Sequence, residues 1–181
     1  KHSLQPSLIK QYKEIAEFFK TQDNIFMLAK GTGCIVSEYI SQKFNQIACI
    51  HAEAYPSAEF RHGPLAMLDE EEKTACIFLI LDDENLDNFD EYYVIKDRGA
   101  TITVVTNLAN IEEKCDCTRI DHLIKVFPQK SVFAALLCCP PLLMIIYYTA
   151  LAKGINPDQN LIETLNAKNN FAKDSSMNVN I

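Results

Sequence analysis

Two periods of apolar spacing alternate along the chain. Leu8, Ile9, Tyr12, Ile15, Ala16, Phe18 and Phe19 recur at helical spacing, so Pro6 to Thr21 is predicted as an amphipathic helix with proline near its start. Asn24 to Ala29 is instead a short, nearly continuous apolar run that ends in Gly31-Thr32-Gly33. That is the pattern of a buried parallel strand entering a tight glycine turn. A helix follows over Cys34 to Ala48, with Val36, Ile40, Phe44 and Ile47 on one face and Glu38, Gln42, Lys43 and Gln46 around the rest. Ala75 to Leu81 is apolar enough to be a central strand. Beyond an acidic loop and helix start, Asp82 to Asp90, a helix runs to about Asp97, closes on Arg98-Gly99 and feeds a β-branched strand, Thr101 to Thr106. A weaker strand, His122 to Phe127, precedes a long apolar helix from about Lys130 to Ala152, ended by Gly154 and expected to kink at Pro140.

Helix and strand alternate throughout, which predicts an α/β three-layer sandwich: a parallel sheet of about five strands with helices on both faces. Residues 1–165 are expected to form one domain, and residues 166–181 a polar, Asn-rich, mobile tail.

Composition narrows the function. With 181 residues and 48% hydrophobic content the chain can bury one real core. Its longest apolar run, Ser131 to Ala152, is interrupted by Pro140 and Pro141 and lacks flanking charge asymmetry, so it reads as a buried helix and not a membrane span. The net charge of -7, with no Lys/Arg cluster among aromatics, argues against nucleic acid as a partner. Seven cysteines is an odd number, and Cys34, Cys49, Cys76, Cys138 and Cys139 sit in apolar segments, which fits free thiols in a reducing cytoplasm. Cys115 and Cys117 are too close for an ordinary pair of zinc ligands and have no partner pair, so no metal or other cofactor is expected. A start at Lys1 without a signal-peptide pattern suggests a piece of a longer protein.

The densest candidate chemistry lies in His51 to Leu68, His-Ala-Glu-Ala-Tyr-Pro-Ser-Ala-Glu-Phe-Arg-His-Gly-Pro-Leu-Ala-Met-Leu, read as a loop between two apolar elements. Titratable groups among large apolar residues suit the wall of a site. A rigid loop whose His and Glu side chains only tie down backbone fits the same composition. Gly31-Thr32-Gly33 lies at a strand's carboxyl end, where open parallel sheets bind ligands, although a tight strand-to-helix turn without a ligand has the same pattern. Asp82-Asp83-Glu84 and Thr106-Asn107 would face the same side, where three carboxylates repel a phosphate. His51, Glu53 and His62 show no ligand spacing that would make a metalloenzyme.

The order strand, Gly-Thr-Gly, helix, His-Ala-Glu-Ala-Tyr, Glu-Phe-Arg-His-Gly-Pro resembles the sugar isomerase (SIS) domains, and specifically the second such domain of glucosamine-6-phosphate synthases. The family pattern H-A-E-A-Y-x-x-G-E-[LF]-[KR]-H-G-P-L-A-L is followed from His51, with Ala58 in place of glycine. Asn24 to Gly33 and Ala150 to Leu165 extend the likeness over most of the chain.

The resemblance implies a flavodoxin-like fold and an enzyme converting fructose 6-phosphate and glutamine into glucosamine 6-phosphate and glutamate. It also implies a glutaminase and a first isomerase domain elsewhere, sites built between subunits of a homodimer or higher oligomer, and a sugar phosphate (fructose 6-phosphate or glucosamine 6-phosphate) as ligand. The family's ring-opening histidine falls on His62, whose imidazole suits proton transfer near neutrality. Its helical Glu, Lys and Glu fall on Tyr39, Lys43 and Gln46, and its imine-forming lysine on Glu163. Gly31, Thr32, Gly33, Glu53 and Glu59 are the expected substrate-binding residues. The departures matter chemically, because the amide of Gln46 cannot abstract a carbon-bound proton and the carboxylate of Glu163 cannot form an imine. Glu38 points about 100° away from Tyr39 on a helix and is a poor substitute. The domain alone is therefore not expected to isomerise sugar phosphates. A non-catalytic SIS module for sugar-phosphate binding or assembly is the alternative.

Overall fold

The computed structural model describes residues 5–68, 74–81, 90–129 and 132–158. In chain order the elements are α1 (Pro6–Phe19), β1 (Asn24–Ala29), α2 (Gly33–Lys43), a π-helical turn (Phe44–Ala48), β2 (His51–Pro56), β3 (Ala75–Ile80), α3 (Asp90–Asp97), β4 (Thr101–Thr106), α4 (Ile111–Lys114), β5 (His122–Lys125) and α5 (Val132–Ala152). Two 3₁₀ turns, Glu59–His62 and Pro64–Met67, follow β2. All described strand pairs are parallel and the order is β2-β1-β3-β4-β5, so β1 and β3 are central and β2 is an edge.

Side chains alternate across a strand, and here the alternation separates two cores. Ile25, Met27 and Ala29 of β1 with Ala75, Ile77 and Leu79 of β3 pack under Tyr12, Ile15 and Phe19 of α1, Val36, Ile40 and Phe44 of α2, and Cys138, Leu142 and Ile145 of α5. Phe26, Leu28, Cys76, Phe78, Ile102 and Val104 face the other way, against Phe60, Leu68, Tyr92 and Ile95 of α3, and Ile111 of α4. This is the three-layer α/β sandwich expected from the alternating pattern. Pro140 and Pro141 lie inside α5 and withhold two backbone donors, yet the helix continues through both to Ala152.

Three boundaries differ from those the sequence suggests. The segment from His51 is not a loop throughout, since His51–Pro56 is a strand hydrogen-bonded to β1 in register from Asn24 opposite His51. The helix predicted over Cys34 to Ala48 is α-helical only to Lys43, and Phe44–Ala48 forms one π turn that ends at Cys49 in left-handed backbone (φ 49°). The last strand closes at Lys125. The acidic segments at 69–72 and 82–89 and the expected tail at 166–181 lie outside the described residues.

The π turn has a visible use at the sheet edge. It presents Asn45, whose Nδ2 donates to the Ala52 carbonyl at 3.0 Å while its Oδ1 accepts from the Ala52 N–H at 2.9 Å. One side-chain amide thus satisfies both outward backbone groups of a residue on the edge strand. Pro56, on the same outward register two pairs on, has no N–H to offer. Replacing Asn45 with Ala is expected to lower unfolding free energy in urea by about 1–2 kcal/mol, two net hydrogen bonds on a partly exposed edge. Light scattering should show the variant associating more readily.

His122 opens β5 beside the Phe18 ring (6.3 Å between centroids), and burial holds its imidazole below the ordinary value of 6.5 against the opposing pull of Asp121 and Glu14, with Lys96 adding to the depression. The unfolded chain therefore binds the proton first on acidification. Stability tied to this group is complete above about pH 6.5 and declines as pH falls through 6.5 toward the lower folded value. Thermal melts between pH 7.5 and 5 should show this decline, and His122→Gln should flatten it.

Candidate functional site

The residues with candidate chemistry fall into three places. Beyond the carboxyl end of β1, Gly31 takes left-handed backbone (φ 50°), which brings the Gly33 N–H to the Lys30 carbonyl at 2.9 Å and starts α2 at once. Lys30 beside this turn pairs with the buried Glu91 of α3 (Nζ to Oε2, 3.6 Å). Gly31 is open to solvent, Thr32 half-buried and Gly33 buried. The turn is therefore flanked by a neutralised cation.

The second place is the far end of α2. Lys43 Nζ donates to Gln46 Oε1 at 2.9 Å and lies 5.3 Å from the centre of the Tyr39 ring. Tyr39, Lys43 and Gln46 thus form one connected group, with the lysine held by an amide and an aromatic face and, among the described residues, by no carboxylate within ion-pair distance. An amide oxygen accepting from an ammonium orients that ammonium, and it has no basicity to take a proton from carbon.

The third place is the His-Ala-Glu-Ala-Tyr strand and the turn beyond it. With period two, His51, Glu53 and Tyr55 share one face of β2 and Ala52 points the other way into the core. A polar ladder runs along that face: Asn24 Oδ1 to His51 Nδ1 at 2.9 Å, His51 Nε2 to Glu53 Oε1 at 3.4 Å, and the Tyr55 hydroxyl donating to Glu53 Oε2 at 2.5 Å. The hydrogen bond to Glu53 raises the Tyr55 phenol above its ordinary value, because a neighbouring carboxylate opposes a phenolate. Beyond Pro56, Phe60 is fully buried against Phe26 (5.1 Å) and Tyr55 (5.9 Å), pinning the 3₁₀ turn on which Glu59, Arg61 and His62 stand exposed. Among the described residues His62 makes no hydrogen bond or ion pair.

The sheet lies between the second and third places. Phe60 anchors the His62 turn in the core with Phe26 and Phe78, whereas Phe44 and Ile40 anchor the Lys43 helix in the core with Ile25 and Ile77. Lys43 is also about 15 Å along α2 from the glycine turn, ten residues at 1.5 Å each. Glu163 lies outside the described residues. Among those residues, no group of three or more His, Cys, Asp or Glu is arranged to hold a metal ion. Cys115 and Cys117 meet at 3.7 Å between sulfurs, and burial pushes the Cys115 thiol up to about 12, so it is protonated at neutral pH.

The profile of the SIS domain family matches residues 18–150. The chain belongs to the SIS domain family. Its sequence is similar to that of a glutamine-fructose-6-phosphate aminotransferase (isomerizing) of Pyrobaculum aerophilum, with 33% identity over 160 residues, 84% of this chain and 25% of that protein. It is similar to the enzyme of the same name from Sulfolobus acidocaldarius at 30% over 156 residues, again 84% of this chain and 25% of the relative. Among solved structures, the C-terminal domain of glucosamine-fructose-6-phosphate aminotransferase from Francisella tularensis superposes with a TM-score of 0.76 at 24% identity, over 83% of this chain and 42% of that one. The SIS chain thus spans about a quarter of the length of these curated relatives.

Sequence reasoning located the groups but missed how they are divided. It also missed Asn45 and the Glu91 partner of Lys30, for neither of which a local pattern exists in the sequence. The ladder makes a measurable claim: Glu53→Gln should let the Tyr55 phenol titrate closer to its ordinary range, seen in the alkaline rise of phenolate absorbance, and the difference should vanish in a Tyr55→Phe background.

Proposed function

We propose that this SIS domain is the sugar-phosphate isomerase part of a glutamine-dependent fructose-6-phosphate aminotransferase, working only within a larger assembly. The observation that carries the reading is the partition of His62 from Lys43 and Gln46 by the sheet. One chain cannot bring both groups to one sugar, so each belongs to a site completed by another subunit or domain. On this reading His62 opens the sugar ring at a neighbouring subunit's site, while Lys43 and Gln46 bind hydroxyl groups of the open chain. The glycine turn and Glu53 and Glu59 serve ligand contacts at the edges of such sites. The seven cysteines, an odd number with Cys76 and Cys138 buried in the core, fit a reducing cytoplasmic location.

Isomerisation between ketose and aldose needs one group to remove a proton from C1 and return it to C2. Gln46 cannot do so, and its oxygen is already engaged by Lys43. The domain therefore binds a sugar phosphate without converting it. Calorimetric titration with fructose 6-phosphate and glucosamine 6-phosphate, followed by an isomerase assay on the same sample, should give heat of binding and no turnover. In the assembled enzyme, Gln46→Glu combined with Glu163→Lys should raise turnover by about 10²-fold or more, the usual contribution of a placed base. Turnover by the unaltered chain would refute the loss of the base. Absence of binding by both chain and assembly would refute the sugar-phosphate reading.

A further inference from the structure

Cys115-Asp116-Cys117 lies on the crossover from β4 to β5, a segment that carries none of the residues assigned to sugar chemistry. Its two sulfurs meet at 3.7 Å, and both thiols are half-buried, within reach of small solutes yet packed against the second core. The backbone explains the approach. Cys115 ends α4 in extended conformation (φ -147°, ψ 158°), and Asp116 then turns back at φ -74°, ψ 90°, close to an inverse γ-turn. That turn sets the two cysteine Cα atoms about 6 Å apart, inside the ~4.4–6.8 Å that a disulfide spans, whereas a fully extended middle residue would put them at about 7 Å.

Two adjacent tyrosines of α3 grip the residue between the cysteines. The Tyr92 hydroxyl donates to the Asp116 carbonyl at 3.1 Å, and the Asp116 N–H donates to the Tyr93 hydroxyl oxygen at 3.1 Å. The two rings lie 4.3 Å apart between centroids, and Arg119 sits 5.1 Å over Tyr93 while pairing with Asp97 at the end of α3. Bringing the sulfurs from 3.7 Å to the bonded distance of about 2 Å turns the Asp116 peptide units, the groups that the tyrosines hold. Glu91, which holds Lys30 at the glycine turn, directly precedes Tyr92 on the same helix.

We infer that Cys115 and Cys117 form a reversible dithiol-disulfide switch, closed by exchange with a low-molecular-weight disulfide such as glutathione disulfide and read by the tyrosine pair of α3. The exchange balances in two steps. The Cys117 sulfur attacks one sulfur of the small disulfide, forms a mixed disulfide and expels one thiolate, which takes up the Cys117 proton. The Cys115 sulfur then attacks the Cys117 sulfur, closes the internal bond and expels the second thiolate, which takes up the Cys115 proton. Two protein thiols are oxidised and one small disulfide is reduced to two thiols. Burial, and after it the Cys117 sulfur, push the Cys115 thiol up to about 12, which makes it the poorer first nucleophile. Once Cys117 is capped, its share of that rise is gone, and a separation of 3.7 Å is close to the ~3–3.5 Å of reacting atoms poised to combine. A transient bond of this kind is compatible with a reducing compartment.

The test uses the full chain, first reduced and then equilibrated in glutathione buffers of increasing disulfide content. Thiols are blocked with N-ethylmaleimide and the chain is cut with trypsin, which cleaves after Lys114 and Arg119 and leaves both cysteines on one peptide, Cys-Asp-Cys-Thr-Arg. That peptide should pass from doubly labelled to unlabelled and lighter by two hydrogens, and return on addition of dithiothreitol. Cys115→Ser should instead stop at glutathione bound to Cys117. With no tryptophan in the chain, its ultraviolet emission comes from tyrosine. Emission should change at the same glutathione midpoint as the peptide, show no such change in Cys117→Ser, and change at most half as much in Tyr93→Phe. A peptide that stays doubly labelled in glutathione disulfide alone, or that ends as a mixed disulfide in the parent, would overturn the switch. Closure without a change in emission would overturn its reading by α3. These measurements involve no sugar phosphate, so this inference and the calorimetric reading fail separately.

Discussion

A fully parallel sheet is a partition, and this one decides what the chain can do alone. Parallel neighbours require crossovers, the crossovers carry helices, and helices on both faces bury the side chains of the central strands in one core or the other. The result is two layers of side chains that never meet, Ile25, Met27 and Ile77 on one side and Phe26, Leu28 and Phe78 on the other. Chemistry attached to the outer elements inherits the division. Lys43 at the end of α2 and Gln46 in the π turn after it ride over the first core, whereas His62 rides on a turn that Phe60 anchors in the second. The loss of reach is a consequence of the fold itself, independent of any single substitution.

Much of this architecture was legible in the sequence, and what was missed had physical reasons. β1 and β3 are buried on both faces, so they appear as nearly unbroken apolar runs, Asn24–Ala29 and Ala75–Ile80, and β4 is marked by its β-branched residues, Thr101–Thr106. β2 is an edge strand whose core-facing position is Ala52 and whose other face carries His51, Glu53 and Tyr55. Its alternation is plain once the pairing with β1 is known, but alanines weigh little as an apolar signal and the titratable residues suggest a loop. The π turn had no signal at all. Phe44–Ala48 continues the helical spacing, and only the demand of the Ala52 backbone for a partner explains why the turn widens to present Asn45.

For the site, residue types and motif were readable while placement was not. The family pattern from His51 marks His62 and, by spacing, Tyr39, Lys43 and Gln46, and the structure brings the last three into contact. Charge explains why that contact is stable here. A lysine between a phenol ring and an amide keeps its charge beside polarisable, neutral partners, and the amide is turned so that its oxygen, not its nitrogen, faces the cation. Such a group holds a hydroxyl or an anion well and moves protons poorly. Lys30 differs, because the buried Glu91 opposite it neutralises the turn at the other end of α2. The two ends of one helix thus present one cation held by a neutral amide and ring and one compensated by a carboxylate.

Helix α5 shows where hydrophobicity alone cannot assign a surface. An amphipathic helix reveals its buried side by its polar one, as α1 does with Lys10, Lys13, Glu14 and Glu17 outward and Tyr12, Ile15 and Phe19 inward. α5 has apolar residues all round, so its sequence is equally that of a core helix, a membrane span or an interface. The fold removes that ambiguity on one side only, by placing Cys138, Leu142, Ile145 and Ile146 in the core. With no charged residue from Val132 to Ala152, the outward Phe133, Leu136 and Leu151 cannot be told by composition from the inward Cys138, Leu142 and Ile145, and only the packing against the sheet separates them.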